Sequence, residues 1–430
     1  MAPNRSDGLL ARVDFPLYTL QTLTNRHVLV AGGGGSSKTG VANGFEIFEL
    51  SHNGNRFVAE EVMRHETGAN VVMNCAVSAL QTRTYLAAGQ ESHCQLYRVN
   101  IRMVDTAEMR RGSFKAENGL IRRRRRTVSE NDNISKTDRN SNSTEKRISF
   151  EIRPSDSIQT DFGDEAMQRV VRISPNGKLM ATGGTDGKVR LWSFPKMELL
   201  RTIDAHTKEI DDLDFSPCDS MLVSIAKDGG ASLWAAGAAG AAGEGAGPLI
   251  ELVSQPPNGT KYLFKRCRFG LIEDQKDVYR LFTLANPLGR SGKQKGLIQL
   301  WNPKDGTLKK TVAVDESLSA LAVRDDGRFV GVGTMFSGSV DIYVAFSLQR
   351  VLHVAGAHSM FVTGLQFVPA RGSGPPVASR SEAALLSISV DNRLCVHSLD
   401  YRSTMPAWLA ILLIIFVLFC TFTLCSYFGI

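Results

Sequence analysis

The sequence predicts an all-β protein, a seven-bladed β-propeller followed by a single C-terminal transmembrane helix. Three observations lead there. Short alternating strands recur with a spacing of 42 residues in the clearest pair of units, the 430-residue chain holds 39 Gly and 43% apolar residues, and a 22-residue uncharged run lies near its end. The length exceeds one small domain, and the apolar content suffices for a large core. Seven Cys at positions 75, 94, 218, 267, 395, 420 and 425 form no CxxC pair. That scatter excludes a disulfide framework and the usual zinc spacings, and reads as reduced thiols facing the cytosol.

The repeat is clearest in MATGGTDGKVRLW (180–192) and LVSIAKDGGASLW (222–234), where Asp186 and Asp228, like Trp192 and Trp234, lie 42 positions apart. Before each comes an alternating strand (VVRIS at 170–174, LDFSP at 213–217) and a turn, and within each a DG turn joins two strands. Weaker copies run over 18–50, 71–99, 265–306, 318–345 and 361–399, making seven units. Radial sheets of this kind bury their faces on one another. His206, Ser224, Asp228 and Trp234 are placed for a buried hydrogen-bond chain, with His358, Ser387 and Asp391 as a partial second set. At fixed offsets in a repeat these are structural rather than a catalytic His/Ser/Asp group. The pattern resembles the WD-repeat family of propellers, with degenerate repeats in most blades.

Residues 1–100 are accordingly read as blades 1 and 2, with a Gly-rich loop at 32–43 projecting from the first, and residues 151–400 as blades 3 to 7. Two segments interrupt them. The formal charge of +7 is concentrated between Ile101 and Phe150, which holds thirteen Lys/Arg, including the run at 122–126, against seven Asp/Glu. With few large apolar residues it reads as a disordered basic insertion between the second and third blades. AAGAAGAAGEGAG (235–247) reads as a flexible connector after the fourth. The rest of the chain is nearly neutral, so nucleic acid is not the expected partner. The basic tract has its own uses to weigh: nonspecific phosphate binding, kinase recognition around Thr127 and Ser129, or attraction to anionic lipid.

The N-terminal stretch Met1–Leu20 lacks the apolar core of a signal peptide. Ala407 to Phe428 carries no charge, with Trp408 and Tyr427 near its ends. Twenty-two residues at 1.5 Å each span roughly 33 Å, enough for a hydrocarbon layer of about 30 Å. Arg402 precedes the run and nothing basic follows, which places residues 1–406 in the cytosol. Asn4, Asn133, Asn142 and Asn258 head N-x-[ST] triplets. They should stay unglycosylated; an endoglycosidase mobility shift would reverse the orientation.

Where the other units have a tight turn, the first reads AGGGGSSKTGVANGFEIFEL (31–50). About ten residues replace that turn, so the loop projects from the propeller face. Gly32 to Thr39 nearly spells a phosphate-binding P-loop, but such a loop opens a helix, and FEIFEL alternates as a strand. Nucleotide binding by the loop itself is not expected.

The order AGGGG, KTG, NG in the first blade of a degenerate, C-terminally anchored propeller resembles one family, the endoplasmic-reticulum guanine nucleotide exchange factors for the small GTPase that starts COPII coat assembly. FPLY (15–18), AAGQESHCQL (87–96), QTDF (159–162), CRFG (267–270) and GSVDIYVAFSLQ (338–349) extend the resemblance over nearly the whole ordered chain. The resemblance implies a function in export from the endoplasmic reticulum, a membrane-anchored exchange factor without covalent chemistry, the GTPase and the inner-coat subunits as partners, and the endoplasmic-reticulum membrane as location. It implies a GTPase-contacting loop of Gly34, Gly35, Ser36, Ser37, Lys38, Thr39 and Gly40, and a potassium ion held through Gly34, Gly35, Ser36, Thr39 and Asn43. It also assigns the activity-determining Asn to Asn43, whose amide offers both donor and acceptor. Taken from the residues alone, Asn43-Gly44 is a turn dipeptide. The competing functions are a DNA-binding transcription regulator and a membrane scaffold without exchange activity.

Overall fold

The computed structural model describes residues 8–36, 40–54, 56–80, 83–105, 146–237, 247–254, 260–272, 275–289, 295–370, 381–401 and 407–428. Among them, 28 strands form seven antiparallel four-stranded sheets. Blade 1 comprises β2 (Leu17–Thr22), β3 (His27–Gly33), β4 (Asn43–His52) and β5 (Phe57–Glu66). Blade 2 holds β6 (Asn74–Leu80), β7 (Arg83–Gln90), β8 (His93–Asp105) and β9 (Lys146–Gln159). Blades 3 to 6 follow in the same order from β10 (Gln168–Ile173) to β25 (Gln349–Val354). The last blade takes β26 (Val362–Phe367), β27 (Ser381–Ser389) and β28 (Arg393–Asp400) from the end of the propeller and β1 (Leu9–Arg12) from its start. This seam closes the ring by pairing the two ends of the chain. Residues 9–12 therefore belong to blade 7, a partner their sequence alone does not announce.

Middle strands such as β3, HVLVAGG, are buried along their whole length, whereas the outer β21 (Thr307–Val314) alternates with water. The difference follows from stacking: a middle strand has a blade on either side, and an outer strand has solvent beside it. In blade 3 the turn Thr185–Lys188 needs glycine at Gly187, whose φ is +73° and whose added Cβ would lie 2.4 Å from the His206 carbonyl.

Two boundaries differ from the sequence reading. Residues 101–105 extend β8, and β9 takes 146–150 from the insertion and 151–159 from the span read as blade 3, paired from His93↔Gln159 to Asp105↔Lys146. The basic insertion thus lies inside blade 2, between its third and fourth strands, and residues 106–145 lie outside the described residues. Likewise the Ala/Gly connector falls inside blade 4, because β17 (Ile250–Glu251) returns to pair with β16 (Ala231–Ala235). Fourth strands are the most exposed and least patterned of a blade, which is why a gap before them reads as a gap between blades.

The hydrogen-bond chains are present. Trp234 Nε1–H donates to Ser224 Oγ at 2.8 Å, Ser224 lies 2.8 Å from His206 Nε2, and His206 Nδ1 lies 3.2 Å from Asp228. In blade 7 His358 sits 2.7 Å from Ser387 and 3.1 Å from Asp391, and His397 Nε2 takes the place of the tryptophan indole, 2.8 Å from Ser387 Oγ. These groups are closed on one another, with His358 only 2% exposed, and serve the fold. Burial pushes His397 down to about 3, with neighbouring His358 adding to the shift. A folded-state pKa below the unfolded value means that the unfolded chain binds more protons in acid. The stability that His397 contributes is therefore complete above about pH 6.5 and falls as pH drops towards about 3. Between pH 7.5 and pH 5 the melting temperature of the His397→Phe chain should fall by less than that of the unaltered chain. Separately, His206→Ala should cost about 1–3 kcal/mol, read as a lower urea midpoint, because it leaves Ser224 and Asp228 short of a partner.

At the axis, inner strands of neighbouring blades are tied by charge. Asp212 accepts from Arg172 Nη2 at 3.1 Å and Arg268 Nη1 at 2.5 Å, and Asp214 accepts from the Phe269 N–H at 2.7 Å. Blades 3, 4 and 5 are joined this way. Burial pushes Asp212 up, but the two guanidiniums outweigh it and hold the carboxyl below its ordinary range. A cavity of about 370 Å³ runs among the inner strands of all seven blades.

Connections from first to second strand and from third to fourth open on one face of the propeller. Those from second to third strand, and from blade to blade, open on the other. The Gly-rich loop joins β3 to β4 and lies on the second, here termed the loop face. Strand β28 starts at the loop face and ends at Asp400 on the opposite one. From there the chain continues to helix α1 (Ala407–Phe428), the one described helix long and apolar enough to cross a membrane.

Candidate functional site

The loop rises from a pair of strands brought unusually close to their surroundings. In β3 and β4 the register pairs Gly33 with Asn43 and Gly32 with Gly44. A Cβ on Gly32 would lie 1.8 Å from the Pro16 carbonyl, and one on Gly44 would lie 2.3 Å from that of His65. One on Gly33 would lie 2.0 Å from Asn43 Oδ1. The glycines at these positions are thus demanded by packing at the loop's base as well as by its curvature.

Asn43 closes that base. Its Oδ1 accepts from the Gly35 N–H at 2.9 Å, and its Nδ2 donates to the Gly35 carbonyl at 3.1 Å and to the Gly68 carbonyl at 3.0 Å. Its own carbonyl accepts from the Thr67 N–H at 2.9 Å. One side chain therefore joins the β3–β4 loop to the connection leaving β5. It is 4% exposed and points into the neck, not outward. The amide's Nδ2 is shared between the Gly35 and Gly68 carbonyls, and its oxygen accepts from the Gly35 N–H. In this structure the amide is turned to the loop's base, where it ties Gly35 to Gly68.

Beyond the neck the backbone turns outward. Gly34 and Gly35 are half-buried, whereas Ser36 and Gly40 are exposed, and Gly35 and Gly40 have φ of +83° and +77°. Ser37, Lys38 and Thr39 lie outside the described residues. The element that follows is strand β4, not the helix whose N-terminus a P-loop requires. The structure adds two residues that sequence reasoning missed, Thr67 and Gly68. Both meet Asn43 through backbone groups, which leave no side-chain signature for a motif search to find.

The same strand carries Glu46, 3% exposed and 3.4 Å from Arg64, which also pairs with Asp14 at 3.1 Å. Burial pushes Glu46 up to about 7 against the pull of Arg64. That carboxyl packs blade 1 towards the seam, away from the loop tip.

The donor set suits a weakly charged cation. Residues 34–42 contain no Asp or Glu, so the oxygens available are backbone carbonyls, hydroxyls and the remaining lone pair of Asn43 Oδ1. Among the described residues no cluster of three or more His, Cys, Asp or Glu is placed to hold a metal. A set of neutral oxygens fits a monovalent ion better than a divalent one.

A family profile described as WD domain, G-beta repeat matches residues 165–193 and 197–235, the third blade and most of the fourth. The chain is 33% identical over 423 residues to the guanine nucleotide-exchange factor SEC12 of Mus musculus, covering 96% of both chains. It is similar to the same degree, and over the same share, to the SEC12 protein of Rattus norvegicus. It is 26% identical over 256 residues to SEC12-like protein 2 of Arabidopsis thaliana, covering 59% of this chain and 56% of that one.

Proposed function

Because this chain belongs to the SEC12 family of guanine nucleotide-exchange factors, we propose that it promotes GDP release from the small GTPase that starts COPII coat assembly, at the endoplasmic-reticulum membrane. The observation that carries this reading is the near-complete match to curated exchange factors, 96% of both chains, with an oversized loop on the first blade. The apolar helix α1 fits a single-pass anchor, which would tether the propeller by the face opposite the loop to a membrane on which the product GTPase is needed.

An exchange factor forms and breaks no covalent bond. It binds the nucleotide-free GTPase more tightly than the GDP-bound one, and by linkage GDP must then bind more weakly to the complex. In this reading Gly34, Gly35, Ser36 and Gly40, together with Ser37, Lys38 and Thr39, form the contacting loop. Asn43 is its positioning residue: the three hydrogen bonds of its amide supply the rigidity that lets a glycine-rich segment press on a partner without first paying its ordering entropy. A potassium ion held by the carbonyls of Gly34, Gly35, Ser36 and Thr39 with Asn43 Oδ1 would add to that stiffness. A crystal soaked in a rubidium salt should show a peak among those oxygens; featureless density there would remove the ion from the account.

The test of function is the release of fluorescent GDP from the purified GTPase, followed with and without this chain. Acceleration that depends on the concentration of the chain supports exchange. Tight binding with no acceleration would make it a scaffold. Inner-coat subunits remain the further partners that this function implies.

A further inference from the structure

On the face opposite the loop, a cleft of about 190 Å³ opens between blades 5, 6 and 7. Its walls are Ile272, Phe329, Val344, Val351 and Leu399, with Phe346 at the rim. Phe346 sits in the turn between β24 (Val340–Val344) and β25 (Gln349–Val354) and is 68% exposed. Its ring extends the apolar walls of the cleft out to the surface.

Two guanidiniums and one carboxylate border the same cleft, Arg280, Arg328 and Glu382, a net charge of about +1. Arg328 lies 3.4 Å from Glu382, while Arg280 has no carboxylate partner among the described residues. Arg280 is half-buried, and burial pushes its pKa below the ordinary guanidinium value. Apolar walls beside a half-buried cation match the two ends of one ligand class, an acyl chain next to a phosphate.

The chain itself says what meets this face. Leu399, in the cleft wall, is the penultimate residue of β28, and six residues separate Asp400 from Ala407, where α1 begins. Fully extended, that link reaches at most about 25 Å. The cleft is therefore held beside whatever bilayer α1 enters.

We propose that this cleft binds an anionic phospholipid of the anchoring membrane, with Arg280 and Arg328 at the phosphate and Phe346 among the upper acyl carbons. The inference rests on α1 being a membrane span. Bound lipid would limit how the propeller tilts on its short tether and so orient the loop face.

The full-length chain, reconstituted in nanodiscs of phosphatidylcholine containing one-fifth photoactivatable phosphatidylserine, provides the test. Crosslinks should map to the peptides around 327–346 and 399, and should exceed those from a photoactivatable phosphatidylcholine. Arg280→Gln and Arg328→Gln should each lower the yield about fivefold, the worth of one basic residue at an anionic surface. Phe346→Ser, at an exposed turn, should lower it without altering the melting temperature, and covers the case of an arginine variant that fails to fold. Equal labelling by both lipids, labelling unaffected by all three substitutions, or displacement of the probe by millimolar inorganic phosphate, which would mark a site for soluble anions, would each overturn the proposal. A chain that leaves the membrane in alkaline carbonate would instead refute the span on which it rests.

Discussion

Asn43→Ala should reduce GDP release by at least about 100-fold, equivalent to about 2.7 kcal/mol of barrier, while the propeller stays folded. The substitution deletes three hydrogen bonds at the loop neck, each with a net worth of about 1 kcal/mol. Those bonds hold the loop to Gly68 and to itself, and no strand of the propeller depends on them. The cost therefore falls on loop order, not on the ring. Asn43→Asp sharpens the test. It keeps the acceptor for the Gly35 N–H but sets a carboxylate oxygen against the Gly35 and Gly68 carbonyls, so it should fare no better than alanine. Because the residue acts through the loop, the rate at saturating exchange factor should fall, with urea midpoint and circular dichroism close to wild type. A variant retaining near wild-type release would remove Asn43 from the account.

Asp212→Ala should have the largest effect on stability, about 3–5 kcal/mol, because it leaves Arg172 and Arg268 facing each other near the axis without the carboxylate that separates them. Asp212 also accepts the Cys267 N–H at 3.3 Å. The interaction spans three blades whose inner strands share no ladder hydrogen bonds, so its loss should lower the cooperativity of unfolding as well as its midpoint. Denaturation in urea reads both. A shift below about 1 kcal/mol would mean that the arginines find other partners.

Much of this architecture was legible from the residues. The DG turns and the 42-residue offset between Trp192 and Trp234 mark blades 3 and 4, and the chains through Ser224 and Ser387 follow from position in the repeat. His397 was not foreseen, since its role depends on standing where another blade has tryptophan. Nor was the pairing of Leu9–Arg12 with β28, because four half-exposed residues carry no periodic signal and their partner is almost 400 positions away. The insertion and the Ala/Gly connector read as gaps between blades, not within them, for a related reason. Outer strands are solvent-exposed, and their polar residues resemble the linkers next to them.

The site divides in the same way. The glycine-rich excursion stood out because it replaces a tight turn, and the structure puts it where a second-to-third strand connection must lie. The inward direction of the Asn43 amide was not readable, because its partners are the backbone of Gly35 and of Gly68, and backbone groups leave no trace in residue type. The ionic ties at the axis were equally hidden: Arg172, Asp212 and Arg268 come from three blades and meet only when the ring closes.

The most direct measurement is the rate of GDP release by a chain whose residues 34–42 are replaced with Asp-Gly. The register joins Gly33 to Asn43, so a two-residue turn closes the hairpin and leaves the seven sheets intact. The account predicts release at the GTPase's unassisted rate, with an unchanged melting temperature and undiminished membrane attachment. Release as fast as that given by the unaltered chain would contradict it.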